Sequence, residues 1–272
     1  AISNTQLQNI FAGRNIFWDF NYFIKGNMSY ARNKIIENGE ALQKYPWMSQ
    51  KGQSIGQHYG LVALGLFKSQ EEIDSAPKHI GTVQIGDIRY KDMNEDGVID
   101  EYDECPIGYS NIPRIQFGLT AGFSYKGFDF SMLWQGAAQF SVYFSNGAVW
   151  EFRDGGNAFE HHLGRFNPED PSTWDKATYP RLHDGNFPNN HRKSTYWLKK
   201  GDYLRLKNVE IGYSLPKHLF SKIGVSKLRF FVSGTNLLTF DHQNTFDPET
   251  ENERAYNYPQ MSQYTFGVNI QF

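Results

Sequence analysis

The last nine residues, Tyr264 to Phe272, constrain the fold more than any other stretch: apolar and polar side chains alternate there without a slip, and the run stops on an aromatic ring. Successive side chains of a β-strand point to opposite faces, so Tyr264, Phe266, Val268, Ile270 and Phe272 share one face and Thr265, Gly267, Asn269 and Gln271 the other. Five earlier segments repeat the pattern: roughly Phe17 to Ala31, Ile115 to Tyr125, Phe128 to about Val142, Asp202 to Leu215, and Lys227 to Thr239. In the first, Trp18, Phe20, Tyr22, Ile24, Met28 and Tyr30 oppose Asp19, Asn21, Lys25, Asn27 and Ser29, with Phe23 as the exception. Lys126-Gly127 separates the second and third segments by a two-residue hairpin turn. In the fourth, Leu204 and Leu206 sit on the opposite parity from Val209, Ile211, Tyr213 and Leu215, which predicts a β-bulge near Asn208.

The connections between these segments run to about 83, 2, 59, 11 and 23 residues, so long and short alternate. Antiparallel neighbours joined in this way carry their short turns at one end and their long loops, about 32–114, 143–201 and 240–262, at the other. Outer-membrane β-barrels have this asymmetry, with long loops outside the cell. The polar parity is Gly, Ser, Thr, Asn and Gln, which suits a crowded wet lumen, whereas the solvent face of a soluble sheet is usually rich in Lys and Glu. The prediction is an all-β chain, about six antiparallel strands of a transmembrane barrel with long extracellular loops. A soluble β-sandwich, which also alternates, is the competing architecture. In the 11-residue connection, Pro216 is placed to open a short helix and Gly224 to close it. Residues 1–16 read as a partial strand or a loop.

Lys plus Arg number 27 against 29 for Asp plus Glu, so no excess positive charge draws the chain to nucleic acid. Aromatic residues make up 16% of the chain, enough to supply the girdles of a barrel. Cys105 is the single cysteine and forms no internal disulfide, and no Cys/His cluster has zinc spacing. No apolar run approaches the ~20 residues of a spanning helix. Residues 1–16 lack a signal-peptide pattern, so the natural N-terminus is expected upstream.

Three groups of residues carry candidate chemistry. Asp92, Asn94, Asp96, the Val98 carbonyl, Asp100 and Asp103 follow the ligand spacing of a calcium loop, with Gly97 at the sharp turn. Asp103 replaces the usual bidentate glutamate and no flanking helices are evident, so an acidic turn whose side chains bond their own backbone is the alternative. The long segment 143–201 carries Trp174, Tyr179, Phe187, Tyr196 and Trp197, which either face a substrate or form the small core that a loop of this length needs. His161 and His162 are expected at the surface. Arg205 and Lys207, in the out-of-phase half of the fourth strand, either meet substrate in the lumen or pair with lumen carboxylates. No nucleophile elbow, phosphate loop or zinc-protease motif appears, and no enzyme activity is expected.

Four ordered blocks, Gln53 to Leu61, Gly86 to Asp100, Tyr203 to Pro216 and Val232 to Thr239, resemble the C-terminal part of SusC/RagA-type TonB-dependent outer-membrane transporters. The resemblance runs from about residue 17 to the end. It implies a barrel of about 22 strands, an importer of glycan fragments or peptides, a SusD-like surface lipoprotein as partner, and coupling to the TonB complex through an N-terminal plug outside these residues. By themselves, residues 1–272 should transport nothing. The terminal strand, with Tyr264, Phe266, Val268, Ile270 and Phe272 toward lipid, is the expected handle for barrel assembly. Alternatives that remain are a secreted calcium-dependent glycan-binding β-sandwich and a passive porin.

Overall fold

Backbone polar groups inside a membrane find no water, so strands that cross one must bond to neighbouring strands. In the computed structural model the alternating segments do so as one antiparallel sheet. Residues 3–15, 20–185, 187–220, 224–243, 246–250 and 258–272 are described, of 3–15 the backbone alone. In chain order the strands are β1 (Ser3–Asn15), β2 (Phe20–Arg32), β3 (Gln57–Gly60), β4 (Ala63–Leu66), β5 (Ile88–Tyr90), β6 (Cys105–Ser110), β7 (Ile115–Tyr125), β8 (Phe128–Ala138), β9 (Ser141–Tyr143), β10 (Leu198–Lys200), β11 (Tyr203–Ser214), β12 (Lys227–Asp241) and β13 (Gln263–Gln271). A short helix, α1 (Gln70–Ser75), starts on Ser69, whose Oγ accepts the Glu72 N–H.

The long strands form a seven-stranded sheet in the order β1-β2-β7-β8-β11-β12-β13. These are the six expected strands preceded by β1, which pairs with β2 from Ser3↔Arg32 to Asn15↔Phe20. Register aligns the apolar parities across the sheet: Tyr22 faces Phe123, Phe123 faces Phe130, Phe130 faces Ile211, Val232 faces Phe266 and Phe230 faces Val268. All these side chains therefore lie on one face. They are also exposed: Phe230 is 47% accessible, Ile211 54% and Phe266 77%. A β-sandwich would bury this set between two sheets. The sandwich alternative is thereby excluded, and the face is the band a barrel turns to lipid.

The turn between β7 and β8 is Lys126-Gly127, both with positive φ (45° and 89°), the backbone of a type I′ hairpin. A Cβ on Gly127 would come within 2.7 Å of the Ser214 carbonyl, because the end of β11 abuts this turn through the Ser214 N–H to Gly127 bond of 2.8 Å. The β11–β12 connection thus leaves from the same end. In it a 3-10 turn spans Lys217–Leu219, with Pro216 as the residue before its first position and Gly224 at φ 75°. The predicted bulge is present, with the register of β11 shifting between Leu206 and Asn208 against both neighbours. Skipping Lys207 returns Leu204 and Leu206 to the face of Val209 and Ile211 and leaves Arg205 opposite Gln135 and Thr239 on the polar face.

At the opposite end the long connections pack on one another. β3 pairs with β6, β4 with β5 and β9 with β10, and Leu61 bridges to Ser194. The buried hydrophobic core lies here, in Leu61, Ile88, Tyr90, Ile99, Phe144, Val149, Tyr179 and Trp197.

Candidate functional site

The polar face of the sheet and the underside of this loop core border a half-open cavity of about 940 Å³. Strands supply Asn27 and Ser29 from β2, Gln116 and Gly118 from β7, Gln135 from β8 and Tyr203 from β11, and the loops add His58, Asn111 and Glu249. The β2–β7–β8 register explains the grouping, since Asn27 is opposite Gly118, Ser29 opposite Gln116, and Gly118 opposite Gln135. The polar strand side chains here are neutral amides and hydroxyls, with Leu133 and Ala137 of β8 beside them. Such groups donate and accept without titrating, and match amide or hydroxyl groups of a passing solute.

The roof of the cavity is held by a polar cluster that no short motif announces. Asp87 is fully buried and accepts from the Gln84 N–H at 2.7 Å, His183 Nε2 at 2.9 Å and Asn190 Nδ2 at 3.0 Å, with Arg181 at 3.3 Å. Burial alone would push its carboxyl up, but these hydrogen bonds and the guanidinium outweigh it and hold the pKa below the ordinary value. Asn189 and Asn190, also buried, bond the Ile88 backbone on both sides, at 2.8 and 2.9 Å. Gly86 precedes them at φ 93° where a Cβ would strike Phe166, so only glycine lets the Asp87 turn close. Glu151, 1% exposed, accepts from Tyr179 Oη at 2.6 Å and from the His183 N–H, with His191 Nε2 at 3.7 Å. Burial opposes its ionisation, yet the bonds from His191, Tyr179 and His183 bring its pKa down to about 2. Partners 94 to 103 positions apart in sequence meet at Asp87, which is why no local signal marks them.

The aromatic candidates of segment 143–201 mostly build this core. Tyr179 and Trp197 are 3% and 4% exposed, and Trp197 Nε1 donates to the Asn190 carbonyl at 2.7 Å. Neither ring presents a face to a solute, so of the two readings they adopt the core one. Tyr196 packs edge-on against Trp197, Phe187 stacks on His183 with centroids 3.6 Å apart, and Trp174 stacks on Phe166. None of the five lines the cavity. His162, expected at the surface, is 2% exposed: its Nδ1 accepts the Phe159 N–H and its Nε2 donates to the Val149 carbonyl at 2.9 Å.

In the acidic loop each carboxylate is turned toward backbone. Asp92 accepts the Glu95 and Gly97 N–H groups, Asn94 Oδ1 that of Asp96, Asp96 that of Val98, and Asp100 that of Tyr102. Asp103, fully buried, accepts Met93 N–H at 2.7 Å and Asp100 N–H at 2.9 Å, one on each oxygen. The Val98 N–H serves the turn, and no group of three or more His, Cys, Asp or Glu converges as a metal centre among the described residues. These bonds hold the loop as an acidic turn closed on its own backbone.

Arg205 is 2% exposed on the polar face, and Tyr264, Phe266, Val268, Ile270 and Phe272 are exposed on the apolar face or beyond its end.

No family model matches the chain. It is 30% identical over 99% of its length to TonB-dependent receptor P26 of Formosa agariphila and 25% identical over 93% to TonB-dependent receptor P3 of the same organism. It spans 30% and 27% of the length of these curated relatives. Among solved structures, two of the RagAB peptide transporter and importer cover the whole chain at TM-scores of 0.71 and 0.69, with 22% and 20% identity, the chain spanning 29% and 28% of theirs. The sheet, with its exposed apolar face and its polar face, is a segment of an outer-membrane β-barrel. The chain belongs to the TonB-dependent receptors, and it shares the fold of the RagAB chains.

Proposed function

We propose that the full-length receptor imports oligomeric nutrients, peptide or glycan fragments, across the outer membrane. In this reading a SusD-like surface lipoprotein delivers the substrate and the TonB complex supplies energy through the plug. The observation that supports it is the cavity between lumen wall and loop core, whose strand residues Asn27, Ser29, Gln116 and Gln135 offer uncharged hydrogen-bonding groups. Peptide amides and sugar hydroxyls are the solutes such a wall solvates best.

The test is uptake of fluorescent oligopeptides and oligosaccharides by cells expressing the full-length receptor. Combining Gln116→Leu with Gln135→Leu should lower uptake severalfold at unchanged receptor abundance. Loss of the TonB complex should abolish uptake. Uptake that persists without it would make the protein a passive porin.

A further inference from the structure

Arg205, 2% exposed, lies behind the cavity lining, covered by Pro248, Glu249 and Thr250, and what it binds is part of the same chain. Its Nε donates to Thr239 Oγ1 at 2.9 Å and its Nη2 to Asp247 Oδ2 at 2.7 Å, while Nη1 lies 3.3 Å from Glu249 Oε2. Lys207 Nζ reaches the same Glu249 oxygen at 2.7 Å. Lys207 is the residue skipped at the bulge, so the irregularity is what brings two cations to one place. Both carboxylates belong to a tight turn, closed by the Glu249 N–H to Asp247 Oδ1 bond of 2.9 Å and the Thr250 N–H to Asp247 carbonyl bond of 3.2 Å. Pro248, Glu249 and Thr250 line the cavity, and Phe246 packs on Phe144 of the loop core. The fit is incomplete. Arg205 Nη1 and Glu249 Oε1 are buried without a hydrogen bond, although the guanidinium fork is made for bidentate carboxylates.

We propose that Arg205, Lys207 and Thr239 form a carboxylate-binding site of the lumen wall, that the turn 246–250 fills it as a built-in ligand, and that a carboxylate-bearing solute displaces the turn. A neutral solute that pulled the turn away would leave a buried guanidinium unpaired, which is strongly unfavourable. A carboxylate replaces one anion with another and also offers Nη1, which contacts Glu249 at 3.3 Å without a hydrogen bond, a bonded acceptor, so it is the group able to open the latch cheaply. This site extends the importer reading to acidic substrates, on which its transport role rests, but its occupancy is measurable without transport.

The experiment uses the full-length receptor in detergent with Pro248→Cys, a buried position of the turn, and follows maleimide labelling. Succinate should speed labelling severalfold and succinamide, its neutral diamide, should not. Asp247→Asn with Glu249→Gln should label fast with or without succinate, and Arg205→Gln with Lys207→Gln should remove the succinate response. An oligopeptide with a free C-terminal carboxylate and a uronate-ended oligosaccharide, each beside its neutral amide, then show which source opens the turn. Labelling unchanged by every carboxylate, or changed equally by the neutral amides, would overturn the proposal, while uptake of neutral oligomers would still uphold the importer.

Discussion

The sheet and the loop core use hydrophobic residues in opposite ways. Phe230, Val232, Tyr264 and Phe266 on the sheet are 45 to 77% exposed, whereas Leu61, Ile88, Ile99 and Trp197 in the loops are 0 to 4% exposed. The reason is the solvent each part meets. Lipid solvates the apolar face of the sheet, so the sheet needs no hydrophobic core and is held by its ladders of backbone bonds. The loops stand in water and must bury apolar area as a soluble domain does. They also bury Asp87, Glu151, Asn189 and Asn190, at 0 to 1% exposure, and every one of these is hydrogen-bonded.

The sharpest way to break this comparison is Asp87→Ala in the full-length receptor. It strips Arg181, His183 and Asn190 of a shared acceptor, and loss of one partner from a buried ionic cluster costs about 3–5 kcal/mol. The loop core should become sensitive to protease while the barrel stays heat-resistant on a gel; simultaneous melting of both would show that they are one cooperative unit. Acid should act on the same core. Because the folded pKa of Glu151 is depressed to about 2, its contribution is full above its unfolded value of 4.5 and is lost as pH falls through about 2. That contribution is on the order of 3 kcal/mol. Proteolysis of the loops should rise across that window, and Glu151→Gln should flatten the dependence.

On the sheet, Val232→Arg places a charge on the lipid face, at a cost of about 2–4 kcal/mol near mid-membrane. Its neighbour Ser233→Arg points to the lumen and should cost much less. Folding titrations in vesicles compare the two, and equal costs would mean the faces are misassigned. The smallest effect concerns the acidic loop: Asp103→Ala leaves two N–H groups without acceptors, for about 1–3 kcal/mol. The turn reading expects that loss to be the same with and without millimolar calcium, and calorimetry showing calcium heat that disappears in Asp96→Ala would favour the metal reading.

Period-two alternation in residues 264–272 and 115–125 made the strands legible, and the parity change at Leu206 located the bulge to within a residue or two. Those features were readable because strand geometry acts between adjacent positions. The role of Tyr179 and Trp197 was not, since an aromatic in a long loop has the same sequence whether it faces water or the core. Asp87 was missed because its partners lie far along the chain, and Arg205 was readable only as a lumen charge with two possible partners.

By itself, then, the sequence determined six of the seven long strands, which face of each is apolar, and that the short turns share one end, all of them consequences of local backbone period and turn chemistry, while it left β1 and the short loop strands undecided. Only the tertiary structure decided that the loops pack into one roof, that Asp87 ties residues 84–88 to 181–190, and that Arg205 holds Asp247 and Glu249 of its own chain. Burial and ion pairing depend on which distant segments meet, and that is settled when the strands register and the long connections are brought to the same end.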